Sequence, residues 1–200
     1  MKTDNRMKKR VNEIFVSLQG EGRNTGRAAV FVRFSGCNLR CPFCYTDHAD
    51  YREMSDSEIL EAIGGYGVRF VVLTGGEPTL QVDEPFLAML HSAGYEVAME
   101  TNGTRPVLAG IDWLTVSPKQ PFCGEGARLA VDRCDELKCI FDGDSPVSDF
   151  GIDARYRYLQ PCDVGDSRRN SEITAACVDY IVAHPQWRLS LQTHKLIGFR

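Results

Sequence analysis

Gly36-Cys37-Asn38-Leu39-Arg40-Cys41-Pro42-Phe43-Cys44 decides how the rest of this 200-residue sequence is read. Three thiols fall within eight residues, directly after the β-rich run Ala28–Phe34, and the Gly, Asn and Pro among them favour a loop. Such a loop can wrap an iron–sulfur cubane, each sulfur reaching a different iron. Three protein ligands leave one iron open, much as an open position marks a catalytic rather than a structural zinc. Two plainer readings compete. A structural zinc asks for four closed ligands, and only His48 stands near enough to be the fourth. Inert packing is the common fate of scattered cysteines such as Cys139 and Cys177.

Outward from the loop, short β-rich runs recur at 11–15, 28–34, 70–73, 96–100, 113–116, 137–141, 155–159 and 187–191. Phe70-Val71-Val72-Leu73 is apolar throughout, the pattern of a strand buried on both faces. Ser55-Asp56-Ser57-Glu58 is a capping box opening a helix to about Gly64. A second helix is predicted from Asp83 to about Ala93. A third runs from Ser171 to about Val182, with Ile173, Ala176, Cys177 and Tyr180 on one stripe. Strand–helix alternation implies parallel βα units, and the later strands leave too little chain for full helices between them. The expected architecture is α/β, an incomplete (partial) TIM-like barrel with about six parallel strands and about three main helices. Residues 1–10 read as a flexible lead-in and 11–200 as a single domain.

Hydrophobic content of 43% and charged content of 25% are those of a soluble globular chain. A net charge of −4 leaves no basic footprint, so no direct nucleic-acid partner is expected. The polar, basic start is no signal peptide, and no run approaches the about 18 apolar residues a membrane span needs. A cytoplasmic protein without membrane contact is therefore expected. In a reducing compartment the eight cysteines are not a disulfide framework, and a tight cluster of three points to metal or catalysis.

Other loops follow strands in the same way. Thr74-Gly75-Gly76-Glu77-Pro78 has two glycines that let backbone approach a ligand, and Glu77 offers a carboxylate to an ammonium. Glu100-Thr101-Asn102-Gly103, Ser117-Pro118-Lys119 and Gln160-Pro161-Cys162-Asp163 end three further strands. Singly each is an ordinary turn; repeated at one end of consecutive strands, they form one mouth. Glu136 and Lys138 read equally well as a buried pair or as a solvated strand face.

C-x3-C-x2-C with Phe43 before the last cysteine resembles the signature of the radical S-adenosylmethionine (SAM) superfamily. The resemblance implies a radical SAM barrel in which Cys37, Cys41 and Cys44 hold a 4Fe–4S cluster. SAM chelates the open iron, and its reductive cleavage yields a 5′-deoxyadenosyl radical. By the same resemblance Phe43 touches the adenine through its backbone, with Tyr45 beside it, and Gly75, Gly76 and Glu77 hold the methionyl amino group. Gly103, Ser117, Pro118, Lys119, Gln160, Pro161, Cys162 and Asp163 complete the SAM site, and an electron donor such as flavodoxin or ferredoxin supplies the reductant. Cys123, Cys134, Cys139 and Cys162 are read as packing or loop residues without a cluster role, Cys162 standing near SAM.

Over nearly the whole chain the sequence is similar to the 7-carboxy-7-deazaguanine synthases. Ser17-Leu18-Gln19-Gly20-Glu21-Gly22 matches that family's substrate loop, and Arg33 lies four residues before the first cysteine. Thr46 lies two beyond the last, and Gln192-Thr193-His194-Lys195 stands near the C-terminus. The resemblance implies a lyase acting on 6-carboxy-5,6,7,8-tetrahydropterin, with ammonia released and the product feeding 7-deazapurine (queuosine) biosynthesis. Leu18, Gln19, Gly20, Glu21, Arg33, Thr101, His194 and the terminal carboxylate of Arg200 would bind substrate, Thr46 would hold Mg²⁺, and the enzyme would be a homodimer. The chemistry is consistent. Arg33 can clamp a carboxylate, Mg²⁺ prefers oxygen donors, and Gln19 and Glu21 match the donors and acceptors of an amino-pyrimidinone edge. Two positions depart from the family: Tyr45 replaces a usual Asp, and the chain ends in Gly198-Phe199-Arg200 rather than in proline. The nearest rival, a glycyl-radical-enzyme activase, shares the cysteine spacing but has no use for the 19–22 loop, Arg33 and Thr46. A ferredoxin-like carrier would fill every cluster position with protein ligands.

Overall fold

A computed structural model describes residues 8–44 and 46–199. The chain begins with an antiparallel pair, β1 (Lys9–Leu18) against β2 (Ala28–Phe34), and β3 (Arg52–Met54) joins the outer side of β1. Helix α1 (Asp56–Gly64) leads into β4 (Phe70–Gly75), and α2 (Glu84–Ser92) into β5 (Glu96–Thr101). There follow β6 (Trp113–Val116), the short α3 (Gln120–Cys123), β7 (Arg133–Phe141) and β8 (Asp153–Pro161). Helix α4 (Ser167–Ala183), β9 (Arg188–Leu189) and α5 (Thr193–Ile197) complete the order.

All the described strands lie in one sheet, ordered β3-β1-β2-β4-β5-β6-β7-β8-β9. From β2 to β9 each pairing is parallel, so the strands point their carboxyl ends to one side. The barrel expected from the sequence is thus an open, mostly parallel sheet. Its antiparallel edge is β1 with β3, and only the first two residues of β1 come from the segment that looked like a lead-in. Residues 1–7 lie outside the described residues, but Lys9 and Arg10 belong to β1. Lys9 is buried, its Nζ 2.6 Å from Asp56 Oδ1. An isolated charge at that depth would be unfavourable, and the ion pair makes the position tenable.

The apolar run of β4 is divided between two faces. Val71 and Leu73 join Val32, Phe34, Ile59, Ile63, Phe86, Leu90 and Met99 in the cluster beneath α1 and α2. Phe70 and Val72 face the other way, with Ala29, Phe31 and Ala98. A second helix-side cluster packs Leu137 and Leu159 against Ile173, Cys177 and Trp187. Helix α4 starts earlier than predicted because Asp166 caps it, its side chain accepting from the Arg169 N–H. Ala176, which the stripe placed inward, is exposed, while Ile173 and Cys177 are buried. The contact line runs through 173, 177 and 180, where Tyr180 meets Phe141 with ring centroids 5.9 Å apart.

The capping box of α1 is present as read. Ser55 Oγ accepts from the Glu58 N–H at 3.3 Å, and Glu58 Oε2 accepts from the Ser55 N–H at 2.7 Å. Ser55→Ala is expected to lower stability by about 1 kcal/mol, or about 2–4 °C in Tm, read by thermal unfolding. An unchanged Tm would mean that packing of Ile59 and Ile63 alone holds the helix start.

Candidate active site

The cysteine loop leaves β2, is tied to β1 at its start and closes a turn of its own at its end. Ser35 N–H donates to Arg10 O at 2.9 Å, and Cys44 N–H to Cys41 O at 3.1 Å. Asn102 and Thr104, beyond β5, hold Asn38: Asn102 Nδ2 donates to Asn38 Oδ1 at 3.0 Å, and Asn38 Nδ2 to Thr104 Oγ1 at 2.7 Å. The exit of β4 lies against this loop, with Gly76 N–H on Phe34 O at 2.8 Å and Glu77 N–H on Gly36 O at 2.9 Å. Gly75 has φ +113°, and a Cβ there would meet Phe34 O at 2.3 Å. The glycine pair therefore serves a close approach of backbone to the cysteine loop as well as opening on the cavity.

One cleft, with about 1130 Å³ of empty space including its open mouth, collects the carboxyl ends of the parallel strands. Cys37, Cys41, Cys44, Phe43 and Thr46 line it from the loop. Arg33, Gly75, Gly76, Thr101, Ser117 and Lys119 line it from successive strand ends, and Gln160, Pro161, Cys162, Asp163 and Glu21 from the far side. The sequence brought these together by type; the parallel register brings them together in space.

Seven of the residues singled out in the sequence do not line the cleft. Leu18 is exposed at the end of β1, and Pro118 lines a separate crevice beside Phe122. Gly103 is a packing position, since a Cβ there would lie 2.8 Å from Val116 Cγ1. Gly20 packs on His194, whose Nδ1 would be 2.3 Å from a Cβ at residue 20. His194 itself is held down in pKa by burial. Gln19 is buried and spends its amide on Glu100, donating from Nε2 to Oε1 at 3.0 Å. Glu77 needs the clearest correction. It is fully buried, and Oε1 accepts from the Thr79 N–H and from the hydroxyls of Thr79 and Thr101, while Oε2 accepts from the Asn102 N–H. Its carboxylate clamps the exits of β4 and β5 instead of facing an ammonium in the cleft. Tyr45 and Arg200 lie outside the described residues.

Lys138 and Glu136 are both buried, but not as a pair with each other. Lys138 Nζ reaches Glu21 Oε2 at 2.5 Å and Glu100 Oε1 at 3.6 Å, and Gln192 Nε2 donates to Glu21 Oε1 at 2.9 Å. Burial works against charge on Glu21, yet Lys138 and Gln192 outweigh it and hold the carboxyl down at about 2. Burial likewise opposes charge on Lys138, and the carboxylates of Glu100 and Glu21 raise its pKa well above the lysine range. Glu136 instead accepts the Arg23 N–H at 2.7 Å, and burial pushes its pKa up. Lys119 donates to Ser117 O at 3.0 Å and to Ser117 Oγ, and burial lowers its pKa.

Six liners, Leu39, Thr74, Glu100, Asn102, Gln192 and Lys195, stood in quoted motifs without an assigned role, and Lys138 lines the cleft from a strand. His48 also lines the cleft, and Lys195 has its Nζ 2.5 Å from Asp163 Oδ2. Cys123, read as a loop residue, has its sulfur 3.7 Å from Cys41 Sγ, carried there by α3 as Phe122 packs edge-on against Phe43. Burial, with Cys123 beside it, pushes the Cys41 thiol up to about 12. Cys37, Cys41 and Cys44 are free. Three soft thiols from one loop, set in a cleft whose glycines admit no Cβ, form a donor set suited to an iron–sulfur cluster with one open position.

An open parallel sheet with that loop after its first parallel strand is the arrangement of radical SAM proteins, and the Radical SAM superfamily model matches residues 31–121. The chain belongs to the 7-carboxy-7-deazaguanine synthase family. It is 47% identical over 194 residues to 7-carboxy-7-deazaguanine synthase of Bacteroides thetaiotaomicron, covering 97% of this chain and 100% of that one. With the synthase of Nitratidesulfovibrio vulgaris it shares 46% identity over 94% of this chain and 98% of the relative. The crystal structure of QueE from Escherichia coli superposes with a TM-score of 0.73 at 28% identity, covering 94% and 95% of the two chains. Among the described residues no helix is long and apolar enough to cross a membrane.

Proposed function

We propose that the chain is a radical SAM lyase converting 6-carboxy-5,6,7,8-tetrahydropterin to 7-carboxy-7-deazaguanine and ammonia, a step of queuosine and other 7-deazapurine biosynthesis. The observation that carries this reading is one cleft lined both by three free cysteines and by the cations Arg33, Lys119 and Lys138. Thiols suit a cluster, and cations suit the carboxylates of SAM and of an anionic pterin. When bound, the cluster and SAM supply a 5′-deoxyadenosyl radical that takes hydrogen from the pterin.

The chain's own residues do the rest. Cys37, Cys41 and Cys44 hold the cluster, and Gly75 and Gly76 present backbone to the methionyl end of SAM. Phe43, Ser117, Lys119, Gln160, Pro161, Cys162 and Asp163 form the remaining SAM walls. Arg33, braced by Glu13 at 2.8 Å, meets the substrate carboxylate. Glu21, kept ionised beside Lys138, accepts from the N–H groups of the amino-pyrimidinone edge. Thr46 gives a hydroxyl to Mg²⁺. The described strands share one sheet, which favours a single working domain. A cytoplasmic homodimer reduced by a flavodoxin or ferredoxin completes the proposal.

The test is anaerobic reconstitution with iron and sulfide, then turnover with dithionite, SAM, Mg²⁺ and 6-carboxytetrahydropterin. Formation of 7-carboxy-7-deazaguanine is expected, and Thr46→Ala should raise the Mg²⁺ needed for half-maximal rate by at least about tenfold. SAM cleavage with the pterin left intact would overturn the substrate and favour action on a protein radical site instead.

A further inference from the structure

His48 has no part in the roles above, yet both of its ring nitrogens are placed. The Gly36 N–H donates to Nδ1 at 3.2 Å, and Ser35 Oγ donates to the His48 carbonyl oxygen at 2.7 Å. The ring therefore lies against the first residues of the cysteine loop, although it follows Cys44 by four positions. A ring nitrogen that accepts a backbone N–H carries no proton, so the neutral imidazole carries its proton on Nε2. Nε2 faces Cys44 Sγ at 3.9 Å, within reach of an N–H···S contact, and the ring lines the cleft.

From this geometry we infer that His48 is a positioning residue that donates Nε2–H to the Cys44 sulfur and makes the bound cluster easier to reduce. The inference rests on the cluster-binding reading above. Reduction adds negative charge that spreads onto the ligating sulfurs, and a fixed donor stabilises the reduced form more than the oxidised one. Because Nδ1 is held by Gly36, the donor stays aimed without help from solvent. The same ring joins the beginning of the loop to its end, so a purely structural staple is the reading to be separated from it.

Two short amides separate them. Asn at position 48 keeps an acceptor near Nδ1 for Gly36 but does not reach Cys44. Gln reaches the position of Nε2 with an N–H but gives up the acceptor at Gly36. The measurement is the cluster's midpoint potential in the reconstituted full chain, by anaerobic titration followed by electron paramagnetic resonance. Wild type would be compared with His48→Leu, His48→Asn and His48→Gln. Poised at the wild-type midpoint, His48→Leu and His48→Asn are expected to show a reduced-to-oxidised ratio about tenfold lower. That corresponds to about 59 mV more negative for a one-electron couple. His48→Gln should stay within about threefold of wild type, a shift of less than about 30 mV.

A midpoint unchanged in His48→Leu overturns the inference, as does an equal midpoint in His48→Asn and His48→Gln. The second comparison decides even if the leucine variant holds no cluster. A wild-type chain whose cluster spectrum ignores SAM would overturn the proposed function instead, before any variant is compared.

Discussion

Gly76→Ala is expected to reduce the iron retained after reconstitution to about a tenth of the wild-type content or less, and to lower stability by about 3 kcal/mol. A Cβ at residue 76 would lie 2.0 Å from Gly36 O, 2.5 Å from Gly36 C and 3.2 Å from Cys37 N. These are backbone atoms, so no rotamer can move out of the way. The strand exits cannot simply separate either, because Gly76 N–H is tied to Phe34 O and Glu77 N–H to Gly36 O. Relief has to come from Gly36 and Cys37, and that displaces the first of the three sulfurs. In a chain of this size the loss corresponds to about 6–12 °C in Tm. Gly126→Ala is the matched control, since nothing lies within 4 Å of its Cβ position. Wild-type iron and Tm in Gly76→Ala would mean that the close approach of the two loops is dispensable.

Lys138→Met should be as damaging for an electrostatic reason. Lys138 is 5% exposed and is shared by Glu21 and Glu100. Removing the cation leaves two carboxylates facing each other in a site that burial already makes unfavourable for charge, a change that costs about 3–5 kcal/mol. The pH dependence should reverse as well. In the wild type Glu21 has its pKa depressed from 4.5 to about 2, so its contribution is complete above 4.5 and lost as pH falls toward 2. In Lys138→Met burial dominates and the Glu21 pKa rises, so stability should instead decline as pH increases past the ordinary carboxyl range. Adding Glu21→Gln to Lys138→Met should restore part of the loss. Urea melts across pH 2 to 8 read both effects, and a single variant with wild-type stability and slope would show that solvent reaches the pair.

The sequence carried the three-thiol loop openly because its spacing is a local property: three cysteines within eight residues of one loop share a neighbourhood whatever the rest of the fold does. The capping box at Ser55 and the apolar run of β4 were legible for the same reason. Local reading failed where a side chain's partner lay far along the chain. Glu77 looked like a ligand for an ammonium, but residues at 79, 101 and 102 occupy its carboxylate. Gln19 looked free to bind substrate, but Glu100 holds its amide. Cys123 had no neighbour in the sequence to mark it, and only the docking of Phe122 on Phe43 sets it beside Cys41. Gly75 and Gly76 pointed to a close approach of backbone, though the sequence could not say that the cysteine loop was the other party.

The sequence by itself determined that this protein has a strand ending in a three-thiol loop, a βα beginning with a capped helix, and turns of small and polar residues after successive strands. Tertiary structure decided the open sheet, its antiparallel edge and the buried network that joins Lys138 to Glu21 across 117 positions. Ligand spacing, caps and strand periodicity are written in nearest neighbours along the chain. Which buried charges meet depends on strand order and register, and those follow from how the whole apolar surface is covered at once.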